Sequence, residues 1–222
     1  MTSPAEWADV AKLRQGLYRF LGEALLPPSA ETFEMLAGAV VVLNDRDIDV
    51  FAFSPDWRKL GRHFPVDITG SGLDVGYVRL FASGISHALS PPTESYYRVS
   101  AKGGGIAEFV GDLQRNYRGM GIESSGLDEP PDHISTELEV MAYLCDREAN
   151  LWADDQVRLV GDVLDQENRF LRRHLTVWIP AFRERVHAAD PPSFYRDLVD
   201  MVHSFLVHDR DFVHVIRDGM VE

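Results

Sequence analysis

An all-α fold, a single multi-helix domain, is predicted for this chain by three observations. Apolar residues recur at steps of three and four along most of its length, no segment shows a convincing period of two, and proline, glycine and serine gather in short stretches between the apolar runs. The first stripe is Trp7, Val10, Ala11, Leu17, Tyr18, Leu21 and Leu25, closed by Pro27-Pro28. An apolar run from Leu36 to Leu43 follows and ends at Asn44-Asp45-Arg46-Asp47, while Leu73, Tyr77, Leu80, Phe81 and Gly84 make the next stripe. Ile134, Leu138, Met141 and Cys145, at steps of four, three and four, share one face of a later helix, whose expected N-cap is Asp132 after Pro130-Pro131. Val157, Val160, Leu164, Leu171, Leu175, Trp178 and Phe182 form a longer pattern, with a kink or break expected at Pro180 because it lacks a backbone N–H. After Asp190-Pro191-Pro192, a last amphipathic helix carries Phe194, Leu198, Met201, Val202 and Phe205 before a polar, less packed tail. Loops are expected at 26–30, 69–72, 90–105 and 124–131.

The length of 222 residues and the 45% hydrophobic content suffice for one large domain, read as residues 1–222. Within it, an N-terminal half of about 1–123 is expected to meet a C-terminal half of about 132–222 through a hinge loop at 124–131. A lone cysteine, Cys145, excludes an internal disulfide, and with no basic-then-apolar leader at the N-terminus the expected compartment is the cytoplasm. No run reaches the roughly 20 apolar residues of a membrane span, so the chain is not expected to be membrane-embedded. The formal charge of −13, from 22 basic against 35 acidic residues, repels phosphate backbones and argues against nucleic acid.

Three blocks stand out: Tyr77-Val78-Arg79-Leu80-Phe81, then Pro91-Pro92-Thr93-Glu94-Ser95-Tyr96-Tyr97, then Asp132-His133-Ile134-Ser135-Thr136-Glu137-Leu138-Glu139-Val140-Met141. An aromatic-x-x-Leu-Phe helix, a Pro-Pro-x-x-Ser-x-Tyr loop and Asp-His-x-x-x-Glu-Leu-x-x-Met, in that order, resemble the TorD/DmsD family of cytoplasmic chaperones that mature molybdenum-containing redox enzymes. The resemblance runs from about Leu73 to Phe205 and includes Phe170 to Trp178 and Phe182. Gly76, where relatives often carry an acid, and Thr93, where some carry a large aromatic, depart from the pattern. The resemblance implies a chaperone without catalysis, whose partners are the twin-arginine leader and the unfinished catalytic subunit of a molybdoenzyme, held back from export until its cofactor is inserted. It also implies a monomer able to form a domain-swapped dimer by exchange of halves.

The site it implies for the leader comprises Tyr77, Leu80, Phe81, Pro92, Glu94, Ser95, Asp132, His133 and Glu137. Tyr77, Leu80 and Phe81 share a helical face, a pattern that on its own reads as core; with the resemblance, Tyr77 is expected at a wet rim and Leu80 inside. Pro91-Pro92 stiffens its loop, so a surface there needs little ordering on binding. On the residues alone, Asp132 and His133 are as well explained by a cap and a satisfied histidine as by ligand contact.

The rival from another class is a small helical hydrolase or metal oxidase using Asp132, His133 and Glu137, but no Gly-x-Ser-x-Gly turn accompanies them. A ferritin-like di-iron centre needs two Glu-x-x-His helices, and the spacing occurs only at Glu184 and His187, so no metal is expected. Lys102-Gly103-Gly104-Gly105 lacks the P-loop order. No cofactor is therefore expected, and guanine nucleotide remains a minor expectation from the resemblance alone.

Overall fold

Among the described residues, eight helices are long enough to bury a stripe, and the arrangement follows from which stripes face one another. The computed structural model describes residues 3–45, 51–64, 71–82, 88–99, 105–123 and 129–220. Helices α1 (Pro4–Ala24), α2 (Ala30–Asn44), α3 (Ser54–Gly61) and α4 (Leu73–Tyr77) come first, and α4 continues into a π-helical turn, Val78–Ala82. They are followed by α5 (Glu94–Arg98), α6 (Ile106–Gly119), α7 (Ile134–Ala153), α8 (Val157–Arg173), α9 (Leu175–Ala188) and α10 (Ser193–Gly219). Among the described residues the sole strand-like pairing is an isolated antiparallel bridge between Thr93 and His133. No described helix is long and apolar enough to cross a membrane.

Helix α1 starts with a capping box, in which Glu6 N–H donates to Ser3 Oγ at 3.3 Å and Ser3 N–H donates to Glu6 Oε2 at 2.6 Å. Its stripe of Leu17, Tyr18 and Leu21 is fully buried and packs chiefly against α7, whose Ile134, Leu138, Met141 and Cys145 are equally buried. Helices α8, α9 and α10 close the other side.

Four expectations are corrected. The break falls not at Pro180, which lies inside α9, but at His174, the single residue between α8 and α9, with φ −121° and ψ −95°. The expected loop at 90–105 contains α5. The tail is helical and packed, since α10 runs to Gly219 with Val213 and Ile216 buried and Arg217 bidentate to Asp165 at 2.7 and 2.9 Å. The N-cap of α7 is His133, not Asp132. Gly84, Lys102 to Gly104 and residues 124–128 of the expected hinge lie outside the described residues.

Candidate functional site

The first and second motif blocks are joined by a defect in helix geometry. A π-helical turn widens the ring, so its carbonyls are open to other donors. Leu80 O and Arg79 O accept from Ser90 N–H at 2.7 Å and Leu89 N–H at 3.3 Å, which draws the Pro91-Pro92 loop onto the turn. That loop in turn pairs with the third block. Ile134 N–H donates to Pro92 O at 2.9 Å and Glu94 N–H to Asp132 O at 2.8 Å, on either side of the Thr93–His133 bridge. Tyr117 OH closes the underside by donating to Pro131 O at 2.7 Å.

Asp132 caps a helix, though not its own. Its Oδ2 accepts from Ser95 N–H at 3.2 Å, so the carboxylate serves the N-terminus of α5 from across the junction. His133 caps α7 instead: Nδ1 accepts from Ser135 N–H at 3.3 Å and lies 2.6 Å from Ser135 Oγ. Burial pushes its pKa down to about 4, so the ring is neutral near pH 7.

Beneath the junction lies a buried acid pair. Glu94 meets His174 Nδ1 at 2.8 Å and Arg98 Nη1, and Arg98 also donates to Arg173 O at 2.7 Å. Glu137 accepts from Trp178 Nε1 at 3.0 Å. Burial alone would raise Glu94, but its hydrogen bond and charge interaction with His174 bring it below the ordinary carboxyl range. Burial, reinforced by the neighbouring Glu94 charge, drives Glu137 well above it. Glu94 is therefore the anion and Glu137 the neutral acid. That assignment also accounts for Glu137 Oε1, a buried oxygen without a donor, because the protonated acid can itself donate to Glu94.

All nine of Tyr77, Leu80, Phe81, Pro92, Glu94, Ser95, Asp132, His133 and Glu137 are buried. Pro92, Glu94, Ser95, Asp132 and His133 meet at the junction with Glu137 beside Glu94, whereas Tyr77 and Phe81 pack on Tyr195, and Phe81 also on Phe182. The wet rim expected of Tyr77 is corrected: it is 5% exposed, tilted against Tyr195 and edge-on to Phe81, with its pKa pushed up to about 12 by burial. Gly76 explains that packing. A Cβ there would stand 2.7 Å from Pro192 Cγ and 3.2 Å from its Cδ, so α4 can lie on the start of α10 only with glycine at this position.

A hydrolytic reading of the same residues fails on geometry and proton affinity. Asp132 Oδ2 is bonded to Ser95 N–H and Glu137 Oε2 to Trp178 Nε1, so neither carboxyl group orients His133, and burial, which lowers the ring to about 4, leaves it a weak base at neutral pH.

A second buried cluster was not legible as a site. Arg14 of α1 reaches Glu148 of α7 and Glu167 of α8 at 2.5 Å and Asp209 of α10 at 2.6 Å, and Tyr18 OH donates to Asp209 Oδ2 at 2.6 Å. The available signal was a charged residue on an apolar stripe: Glu148 continues the steps of Met141 and Cys145, and Glu167 falls between Leu164 and Leu171. Cys145, Glu148 and Glu167 offer ligand atoms within 4.8 Å of one another, but the Arg14 guanidinium already bonds both carboxylates and supplies the cation there.

Comparison with known proteins agrees with the blocks. Residues 53–184 match the family described as Nitrate reductase delta subunit. The chain is 33% identical to the selenate reductase assembly chaperone protein of Thauera selenatis over 64% of this chain and 73% of that one. It is 31% identical to the chlorate reductase assembly chaperone protein of Ideonella dechloratans over 60% and 68% of the two chains. To the chaperone protein TorD of Aeromonas salmonicida it is 29% identical, the match spanning about half of each chain, 50% and 51%. With a family match over more than half its length and the three blocks assembled into one junction, this chain belongs to the nitrate reductase delta subunit family of TorD-type redox-enzyme maturation chaperones.

Proposed function

We propose that this chain is a cytoplasmic assembly chaperone for a molybdenum-containing redox enzyme, which binds the twin-arginine leader of the client's catalytic subunit and delays export until the cofactor is inserted. The observation that carries the reading is the junction itself: the Pro91-Pro92 loop and the Asp132-His133 turn, apart in sequence, are held together by Ile134 N–H to Pro92 O and Glu94 N–H to Asp132 O. A rigid seam of this kind presents the surface around it without an ordering cost on binding.

The nine motif residues enter this reading as the frame of the leader site rather than its exposed face. Glu94 and Glu137 hold a fixed anion and a fixed neutral acid, Asp132, His133 and Ser95 set the two helix starts, and Tyr77, Leu80, Phe81 and Pro92 pack the loop in place. Relatives named as assembly chaperones of selenate and chlorate reductases support the client class.

Isothermal calorimetry with a synthetic peptide, two arginines followed by an apolar stretch, tests the reading. Saturable binding is expected, weakened at least about tenfold, or roughly 1.4 kcal/mol, when both arginines are replaced by alanine. Absence of binding by the arginine peptide, or equal binding of both peptides, would overturn it.

A further inference from the structure

A patch of exposed apolar side chains spans α4, its π-helical turn, the residue before Ser90 and α5. Val75 is 68% exposed and Val78 53%, and with Asp74 and Arg79 they line a shallow groove of about 400 Å³. Leu89 and Tyr96, 40% and 41% exposed, continue the patch. Its parts are tied into one surface. Leu89 N–H donates to Arg79 O at 3.3 Å, Arg185 Nε of α9 donates to Leu89 O, and the Arg185 guanidinium lies 5.3 Å over the Tyr96 ring. Apolar surface grouped in this way marks an interaction site.

Two arginines set the chemistry of this face. Elsewhere on the surface Arg183, Arg210 and Arg217 pair with the carboxylates of Asp200, Asp211 and Asp165. Arg79 and Arg185 instead donate to the backbone oxygens of Asp190 and Leu89, and among the described residues no carboxylate lies within ion-pair distance of either, although Asp74 lines the same groove. Each guanidinium is held in place by its carbonyl, so the rest of its fork is left for a partner's carboxylate at little ordering cost.

We infer that this face docks an acidic amphipathic segment of a partner protein, with its carboxylates on Arg79 and Arg185 and its apolar side chains on Val75, Val78, Leu89 and Tyr96. The segment is not the leader, since two guanidiniums repel a twin-arginine sequence, and the inference does not rest on the leader-binding reading above. Arginine, tyrosine and aliphatic side chains without lysine have the composition of a protein interface. The net charge of −13 opposes an extended anionic partner such as a membrane surface, whereas a single segment feels chiefly the charges within a Debye length of about 8–10 Å. A second copy offering the same face would set arginine against arginine.

Calorimetry with three synthetic amphipathic helical peptides of one leucine pattern, bearing glutamate, glutamine or lysine on the polar face, tests the assignment. The glutamate peptide is expected to bind saturably, at least about tenfold more tightly than the other two, and to weaken with added salt. Two variants should each lose at least about tenfold: Arg79→Gln/Arg185→Gln, which keeps an N–H donor for each carbonyl, and Val75→Glu, which sets a like charge in the groove at an exposed position without touching the core. Absence of binding by the glutamate peptide, or wild-type affinity in either folded variant, would overturn the inference and leave the leader reading standing, because that reading is tested with the twin-arginine peptide alone. Weaker binding of the twin-arginine peptide by Arg79→Gln/Arg185→Gln would merge the two sites and also overturn it. So would binding to phosphatidylglycerol vesicles, or self-association in sedimentation, that the same variant abolishes, since each gives the face to another occupant.

Discussion

At the scale of single residues, this fold sets its buried ionisable groups in opposed states. Glu167, against Arg14 of α1, Glu148 of α7 and Asp209 of α10, has its pKa raised from 4.5 to about 8, burial outweighing the opposing Arg14 charge. Between those values the folded chain holds a proton that the unfolded chain has released, so this contribution to stability is lost as pH rises towards 8. His133 works the other way: burial lowers it from 6.5 to about 4, the unfolded chain takes up the proton first, and stability is lost as pH falls through that interval. Urea unfolding across pH is therefore expected to show a maximum between two limbs. Glu167→Gln should flatten the alkaline limb, and His133→Asn, whose side chain still accepts an N–H at the start of α7, should flatten the acid limb. Unchanged limbs in both variants would show that other groups carry the pH dependence.

Among the elements, α4 and its π-helical turn are pinned to the start of α10. Tyr195 OH donates to Leu73 O at 2.8 Å, Arg79 Nη2 donates to Asp190 O at 2.8 Å, and Gly76 lies directly on Pro192. Glycine at position 76 is therefore a packing requirement of this chain. Gly76→Ala should destabilise by about 1–3 kcal/mol through overpacking against Pro192 and Tyr195, despite the better helix propensity of alanine. Val75→Ala, on the exposed side of the same helix at 68% exposure, serves as the control in chemical denaturation. A Gly76→Ala variant as stable as the wild type would mean that α4 can slide off α10. The short helix α5 shows the complementary case, in which an element of five residues, too short to persist alone, stands because Asp132 caps it from another segment.

For the molecule as a whole, α1 decides what can fold alone. It belongs by sequence to the N-terminal half, yet Arg14 neutralises carboxylates on α7, α8 and α10. A fragment of residues 129–222 would lose both the α1 face that covers α7 and the Arg14 cation that pairs with Glu148, Glu167 and Asp209, and a broken buried pair alone costs about 3–5 kcal/mol. It is expected to show no cooperative unfolding at pH 7, and to regain it when a peptide of residues 1–26 is added; a fragment that unfolds cooperatively alone would refute this. Exchange of halves through residues 124–131 is a proposal that the same contact constrains, since any swapped dimer must carry α1 across to the partner's carboxylates. The sequence by itself determined the helical class and the long stripes of α1, α7, α8 and α10, because a repeat of three and four apolar positions is a local property of the chain, and the three motif blocks named the family. Only the tertiary structure decided that Asp132 caps α5 and His133 caps α7, that the chain breaks at His174 instead of Pro180, and that Tyr77 lies inside. The His133 cap is a bond to nearby Ser135, but the places of Asp132, His174 and Tyr77 depend on Ser95, Glu94 and Tyr195, partners distant in sequence, and the periodicity of one segment carries no record of what another brings to it.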